Sequence, residues 1–231
     1  MWNAIDHTYM LACMLASPQP PQGTPRAMAR RTKEEAQATR GRILDAAERL
    51  FQAQGVARTS LHDIAQAAGV TRGAVYWHFQ DKADLFNAML ERVFLPMELR
   101  KAELASAGPG QVLPAVRELL LDILALLERD EQARRVAEIV TQRMEFVEEM
   151  GAVRERRLQV RRDFQRELER ALRQGQRSGE IRPSPSARQL ALGLHALLDG
   201  LIHNWLFDPS HVLRRVGAQA IDVHLAGLAR P

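Results

Sequence analysis

Cysteine is nearly absent from this chain of 231 residues. Cys13 is the one thiol, which excludes an internal disulfide framework and any multi-cysteine zinc site. A reducing compartment is the simplest setting for such a sequence. Aromatic residues make up 5% of the chain and strand-like runs of Val, Ile and Thr are scarce, so a sheet-built fold is disfavoured. No window holds the ~18 consecutive apolar residues of a membrane span, which points to a cytoplasmic protein with no membrane partner. A nucleophile elbow and a phosphate-cradling glycine loop are also missing. The expectation is therefore no catalytic residue, no cofactor and no enzyme. Nor does one sign of charge dominate, with 32 Lys and Arg against 28 Asp and Glu. That balance permits a nucleic-acid partner without requiring one.

What is present reads as helix after helix. The first 27 residues stand apart, because Pro18, Pro20, Pro21, Gly23 and Pro25 prevent regular structure. Asp6 and His7, with no Lys or Arg ahead of the short apolar run, argue against a signal peptide. Residues 1–27 are expected to be a disordered leader, or to follow from a start codon assigned too early, with Met28 as the working start. Beyond it, Ile43, Leu44, Ala47, Leu50 and Phe51 make an apolar helical stripe that Gly55 stops. Ser60 with Asp63 resembles a capping box, Gly69 ends the helix it starts, and Thr71 caps a very short third helix. Asp81 and Asp84 begin a fourth, whose stripe runs through Leu85, Phe86, Met89, Leu90, Val93, Phe94 and Met97. Further helices are expected at about 112–128, 131–146, 153–174, 186–207 and 210–229.

Residues 59–79 carry the chemistry. Two short helices meet at a tight turn containing Gly69, and the small Ala65 and Ala68 allow close contact, as in a helix-turn-helix. Val75 and Phe79, four apart, face a core. Arg72, Gly73, Ala74, Tyr76 and Trp77 are then left for the outside. Arg reads guanine bidentately, an Ala methyl meets a thymine methyl, and a Tyr hydroxyl reaches phosphate. Over residues 28–82, nine basic side chains stand against six acidic ones. Arg30, Arg31 and Lys33 are expected to form an arm ahead of the first helix, suited to backbone or minor-groove contact.

The run Gly69-Val70-Thr71-Arg72-Gly73-Ala74-Val75-Tyr76-Trp77-His78-Phe79, followed by Asp81-Lys82, resembles the DNA-binding domain of TetR-family transcriptional regulators. The opening residues 28–36 and the segment 55–61 are similar to the branch that represses multidrug efflux-pump operons and is released by drugs. The resemblance continues more weakly through residues 134–139, Glu145-Phe146 and 199–202. It implies an all-α fold: a three-helix helix-turn-helix domain at 28–82 and a helical ligand-binding and dimerisation domain at 83–231. It places Thr59, Ser60, Thr71, Arg72, Gly73, Ala74, Tyr76, Trp77, His78 and Lys82 against double-stranded operator DNA. It places Val93, Leu119, Leu120, Ile123, Ala137, Thr141, Leu168, Leu198 and Asp199 in the pocket of a hydrophobic small-molecule inducer. Ala137 and Thr141 stand where related repressors often have Asn and His. Asp199 would favour a hydroxyl donor or a cation. The last two helices would pair with a second subunit, and Leu190, Leu194, Leu197, Leu201, Val212, Val216 and Val223 offer dimer or core stripes for it.

Three rival readings compete. His195, Asp199 and His203 fall at i, i+4 and i+8, as a half-shell for zinc or iron would. No second cluster completes it, so no metal is expected. Eight arginines between residues 153 and 173 face four acids and are expected to be a solvated helix surface. An architectural DNA binder without a ligand would share the first domain but need no sensor cavity.

Overall fold

The computed structural model describes residues 25–94, 104–143 and 151–230. The leader with Cys13, the helical position Met97 and the Glu145-Phe146 pair lie outside the described residues, as do the side chains of Met28, Arg30, Arg31 and Phe94. Among the described residues there are nine α-helices. The nearest approach to a strand is an isolated antiparallel bridge between Ile181 and Ala229.

The chain divides into two compact units, residues 1–40 and 41–231. Helix α1, Pro25–Gln54, begins in the first and ends in the second. The expected arm is therefore not a separate strand of chain ahead of the helix. Its Arg, Lys, Glu, Gln and Ala residues are strong helix formers, and Pro25 suits a first helical position. Within the second unit, α1 buries Ile43, Leu44, Ala47 and Phe51, and Gly55 ends it at φ +88°.

Local chemistry sets the next three helices. Helix α2, Leu61–Ala68, starts in a capping box. Ser60 Oγ accepts from Asp63 N at 3.1 Å, and Asp63 Oδ2 accepts from Ser60 N at 2.9 Å. Gly69 at φ +64° closes it, with Val70 N donating to Ala65 O. Helix α3, Arg72–His78, is capped by Thr71, whose hydroxyl accepts from Ala74 N at 3.2 Å. Helix α4, Lys82–Phe94, is capped by Asp81 and buries Leu85, Phe86, Met89 and Val93.

Five longer helices follow: α5, Val112–Arg129; α6, Glu131–Gln142; α7, Gly151–Ser178; α8, Ala187–Phe207; and α9, Leu213–Ala226. Asp130 ends α5 and caps α6, and Ser186 with Gln189 makes a capping box for α8. Helix α8 packs along α7 and α9 along α5, while α4 lies against α6 and α7. Helix α7 runs past the expected stop at Gly175, because that glycine is buried beneath Ile181 and the turn comes at Gly179, φ +81°. The last helix starts three residues later than expected, after Val212.

One described helix, Ala187–Phe207, is long and apolar enough to cross a membrane by length and composition alone. Packing accounts for much of that character, since Leu190, Ala191, Leu194, Leu198 and Trp205 are buried in the core. The expected dimer stripe thus splits: Leu190 and Leu194 are core, Leu197, Leu201 and Val216 are half-buried, and Val212 and Val223 are exposed.

Gly217 makes the α9–α5 contact possible, because a Cβ at that position would overlap the buried Leu124 side chain. Gly217→Val is expected to lower stability by about 1–3 kcal/mol through overpacking. Urea unfolding monitored by circular dichroism checks this.

Candidate nucleic-acid interface and sensor core

Helix α3 is held from both sides of its turn, and its outer face is left to solvent. Val75 and Phe79 are buried. Arg72, Gly73, Tyr76 and Trp77 are exposed, the last two at 52% and 73%, while Ala74 and His78 are half-buried. Trp77 and His78 meet edge to face with ring centroids 4.5 Å apart. The indole therefore stands largely in solvent on a two-turn helix. Ser60 and Thr71 lie exposed at the two helix starts. Hydrogen bonds from the Ser60 side chain and then its backbone hold the Asp63 carboxyl below its ordinary range.

Two residues of the predicted set have a different placement. Thr59 is buried, its hydroxyl donating to Gly55 O at 2.8 Å and accepting from Gln54 Nε2 at 3.1 Å. Lys82 Nζ donates to the carbonyls of Val56, Ala57 and Thr59 at 3.1–3.3 Å. An ammonium has three protons, and all three are engaged. Thr59 and Lys82 therefore clamp the turn that leads into Ser60, and their polar atoms are committed inside the chain.

A buried carboxylate went unrecognised in the sequence. Glu48 is 1% exposed and sits where α1, α4 and α6 meet. It pairs with Arg92 Nη2, accepts from Gln132 Nε2 at 2.9 Å and lies 3.7 Å from Arg135 Nη1. Arg92 also reaches Asp45 at 2.8 Å. Further along the same seam, Gln52 Nε2 donates to Glu138 at 2.8 Å and Val56 N to Arg143 O at 3.3 Å. The available signal was the placement of Glu48 four residues after Leu44 and three before Phe51, on the apolar face of α1.

The predicted pocket residues divide by polarity. Val93, Leu119, Leu120, Ala137, Leu168 and Leu198 are buried in one continuous core, with Ile123 half-buried against it. Thr141 is exposed and its hydroxyl donates to Ala137 O at 2.8 Å, satisfied by its own helix. The Asp199 side chain is 53% exposed, with Oδ2 3.5 Å from Nδ1 of the buried His195. Two open surface grooves lie elsewhere, one of about 580 Å³ on the arginine face of α7 and one of about 410 Å³ between α1 and α2. Neither contains a residue of the predicted pocket. On the first, Arg166 pairs with Asp163 and Arg173 with Glu169, as a solvated helix face does. His203 is exposed, and among the described residues no group of three or more His, Cys, Asp or Glu side chains is placed to hold a metal ion.

A capped helix-turn-helix with an exposed, aromatic outer helix, joined to a larger helical domain, defines a DNA-binding regulator. Residues 43–89 match the TetR family of bacterial regulatory proteins, and residues 111–228 match the C-terminal region of MAATS-type transcriptional repressors. The chain belongs to the TetR family. It is 40% identical over 185 residues to the HTH-type transcriptional regulator TtgR of Pseudomonas putida, covering 80% of this chain and 88% of that one. It is similar to the crystal structure of NalD, the secondary repressor of the MexAB-OprM multidrug efflux pump in Pseudomonas aeruginosa. That match has a TM-score of 0.76 and 40% identity over 85% of this chain and 98% of NalD. The complex of SmeT, from Stenotrophomonas maltophilia, with triclosan matches at a TM-score of 0.75 and 34% identity, covering 84% of this chain and 92% of SmeT.

Removing one partner of a buried ion pair leaves the other uncompensated. Arg92→Met is therefore expected to cost about 3 kcal/mol in urea unfolding. Burial pushes the His195 pKa down from 6.5, opposed by Asp199 and reinforced by Arg161. A group whose folded pKa is depressed contributes stability that is full above its unfolded value and lost as pH falls below it. Melting temperature should thus fall as pH drops below about 6.5, and His195→Gln should flatten that decline.

Proposed function

We propose that the protein is a ligand-responsive repressor that binds a palindromic operator as a homodimer, is released by hydrophobic small molecules, and controls a multidrug efflux operon in the cytoplasm. The observation that carries this reading is the exposed outer face of α3, presented by rigid caps in a chain 40% identical to TtgR and NalD. Arg72, Gly73, Ala74, Tyr76 and Trp77 enter the major groove, and Ser60, Thr71 and His78 meet the flanking backbone. Thr59 and Lys82 act indirectly, by fixing the turn that aims α2. One short helix reads too few bases for useful specificity, so two copies are needed. Of the seven large apolar side chains that are exposed among the described residues, four are Leu192, Phe207, Val212 and Val223, on or between the last two helices. A second subunit covering α8 and α9 would bury them. Residues 28–82 then serve as the DNA-binding domain and 83–231 as the sensor and dimerisation domain.

Release follows from helix α4. Its first residue clamps the turn before α2, its Arg92 reaches Glu48, and its Val93 lies in the sensor core. A ligand entering among Leu119, Leu120, Ile123, Ala137, Leu168 and Leu198, with Thr141 and Asp199 at the rim, shifts the protein only by preferring one placement of that helix. The move alters the separation of the two recognition helices, which must match roughly 34–36 Å, one turn of DNA, or a multiple of it. Triclosan in the SmeT complex supports an apolar ligand over an architectural role without one.

Arg72→Ala is expected to cost about 1–3 kcal/mol at one base position and to relax preference there. Selection from a random duplex library with both proteins tests this, and an unchanged base preference would remove Arg72 from direct readout. A releasing ligand should bind about 5- to 150-fold more weakly when operator is present, since coupling is reciprocal. Calorimetric titration with and without operator measures it, and equal affinities would mean that no switch exists.

A further inference from the structure

The two oxygens of Glu48 are held unequally. Oε1 accepts from Arg92 Nη2 and from Gln132 Nε2 at 2.9 Å, whereas Oε2 has the same Gln132 nitrogen at 3.3 Å and Arg135 Nη1 at 3.7 Å. Close donors saturate the first oxygen, and the second faces a guanidinium that stops short of hydrogen-bond distance. Arg92, on α4, is thus the nearer cation and Arg135, on α6, the farther one. Both side chains are mostly shielded from water, at 26% and 24% exposed.

Each arginine also holds a second, exposed carboxylate. Arg92 Nη1 lies 2.8 Å from Asp45, which stands half in solvent. Arg135 Nη2 donates at 3.1 Å to Glu131, its neighbour one turn back, which is three-quarters exposed. Exposed pairs of this kind contribute little, because water replaces the lost partner. A carboxylate that is 1% exposed has no such substitute, and losing its last cation is costly. Arg92 is also incompletely satisfied where it sits: its Nε is buried and has no hydrogen-bond partner among the described residues.

We propose that Arg135 is the reserve partner of Glu48. When α4 carries Arg92 away, Arg135 closes by roughly 1 Å to charge-assisted hydrogen-bond distance on Oε2 and takes over the carboxylate. Arg92 keeps Asp45, Glu131 passes to water, and no buried charge is stranded. Helices α1 and α6 stay joined through Gln132 and Arg135 while α4 is freed. The inference rests on the reading in which a ligand displaces α4, and it supplies what that displacement needs, a second arrangement of one ion pair.

Urea unfolding of the full chain, followed by circular dichroism, tests the exchange without DNA or ligand. Arg135→Met should lower the midpoint slightly when Arg92 is present to hold Glu48. In the Arg92→Met protein, where Arg135 is the last cation, the same substitution should lower it at least about twice as far. Glu48→Gln removes the charge that needs a partner, so in that background the two arginine substitutions should become additive. A cluster that fails as a whole gives the opposite sign, because the second deletion then costs less than the first. An equal or smaller shift in the Arg92→Met protein, or an excess that survives Glu48→Gln, would overturn the exchange. If the doubly substituted protein does not fold, adding Glu48→Gln should restore a folded chain, and failure to restore it overturns the exchange as well. Binding of a duplex selected from the random library is read separately, by fluorescence anisotropy. If the excess appears in a protein that selects no duplex, the exchange stands and the repressor reading fails.

Discussion

The carboxylate of Glu48 is the point on which the arrangement of α1, α4 and α6 turns. A charge buried to this degree is tolerated only when its oxygens are met by opposite charge and hydrogen-bond donors. Here the partners are three side chains on two helices: Arg92 on α4, and Gln132 and Arg135 on α6. Apolar contacts tolerate small sliding, whereas this set of hydrogen bonds has one register. The position of α1 relative to α4 and α6 is thereby tied to the geometry of a single side chain. The Gln52–Glu138 and Val56–Arg143 bonds extend the same tie toward the turn that precedes α2.

The rest of the helix-turn-helix follows from that placement. Lys82 gathers three carbonyls of the turn, Thr59 closes it from inside, and Ser60 then caps α2 in a fixed position. Thr71 does the same for α3. Each contact is modest by itself, yet together they leave α3 few ways to tilt. An exposed indole and phenol on so short a helix cost solvation that the fold does not recover.

The larger helical domain is built on an apolar interior. Leu119, Leu120, Leu168 and Leu198 belong to one continuous buried core, and the two open surface grooves lie elsewhere. Helix α4 lies against both α6 and α7. The same helix holds Arg92 and Lys82, one on the buried carboxylate and the other on the turn. One helix thus joins the buried core, through Val93, to the turn that precedes α2, through Lys82.

What the sequence determined by itself was local. The Ser60–Asp63 box, the Gly69 turn, the Thr71 cap and the burial of Val75 and Phe79 were legible because each depends on residues within five positions of one another. The all-α architecture was legible for the same reason, through helical periodicity and breakers. Helix ends were less so: Gly175 looks like a stop, yet it lies inside α7 because Ile181 packs on it from beyond the turn. Only the tertiary structure decided where Glu48, Lys82 and Thr59 place their polar atoms. Glu48 is one of 28 acidic residues, and nothing near it in the chain announces partners 44, 84 and 87 positions away. Lys82 and Thr59 occupy positions that the family resemblance assigns to DNA, but whether a polar side chain faces outward or spends its hydrogen bonds within depends on where the backbone returns. A long-range contact leaves no periodic trace in sequence, and it exists only once the helices have packed.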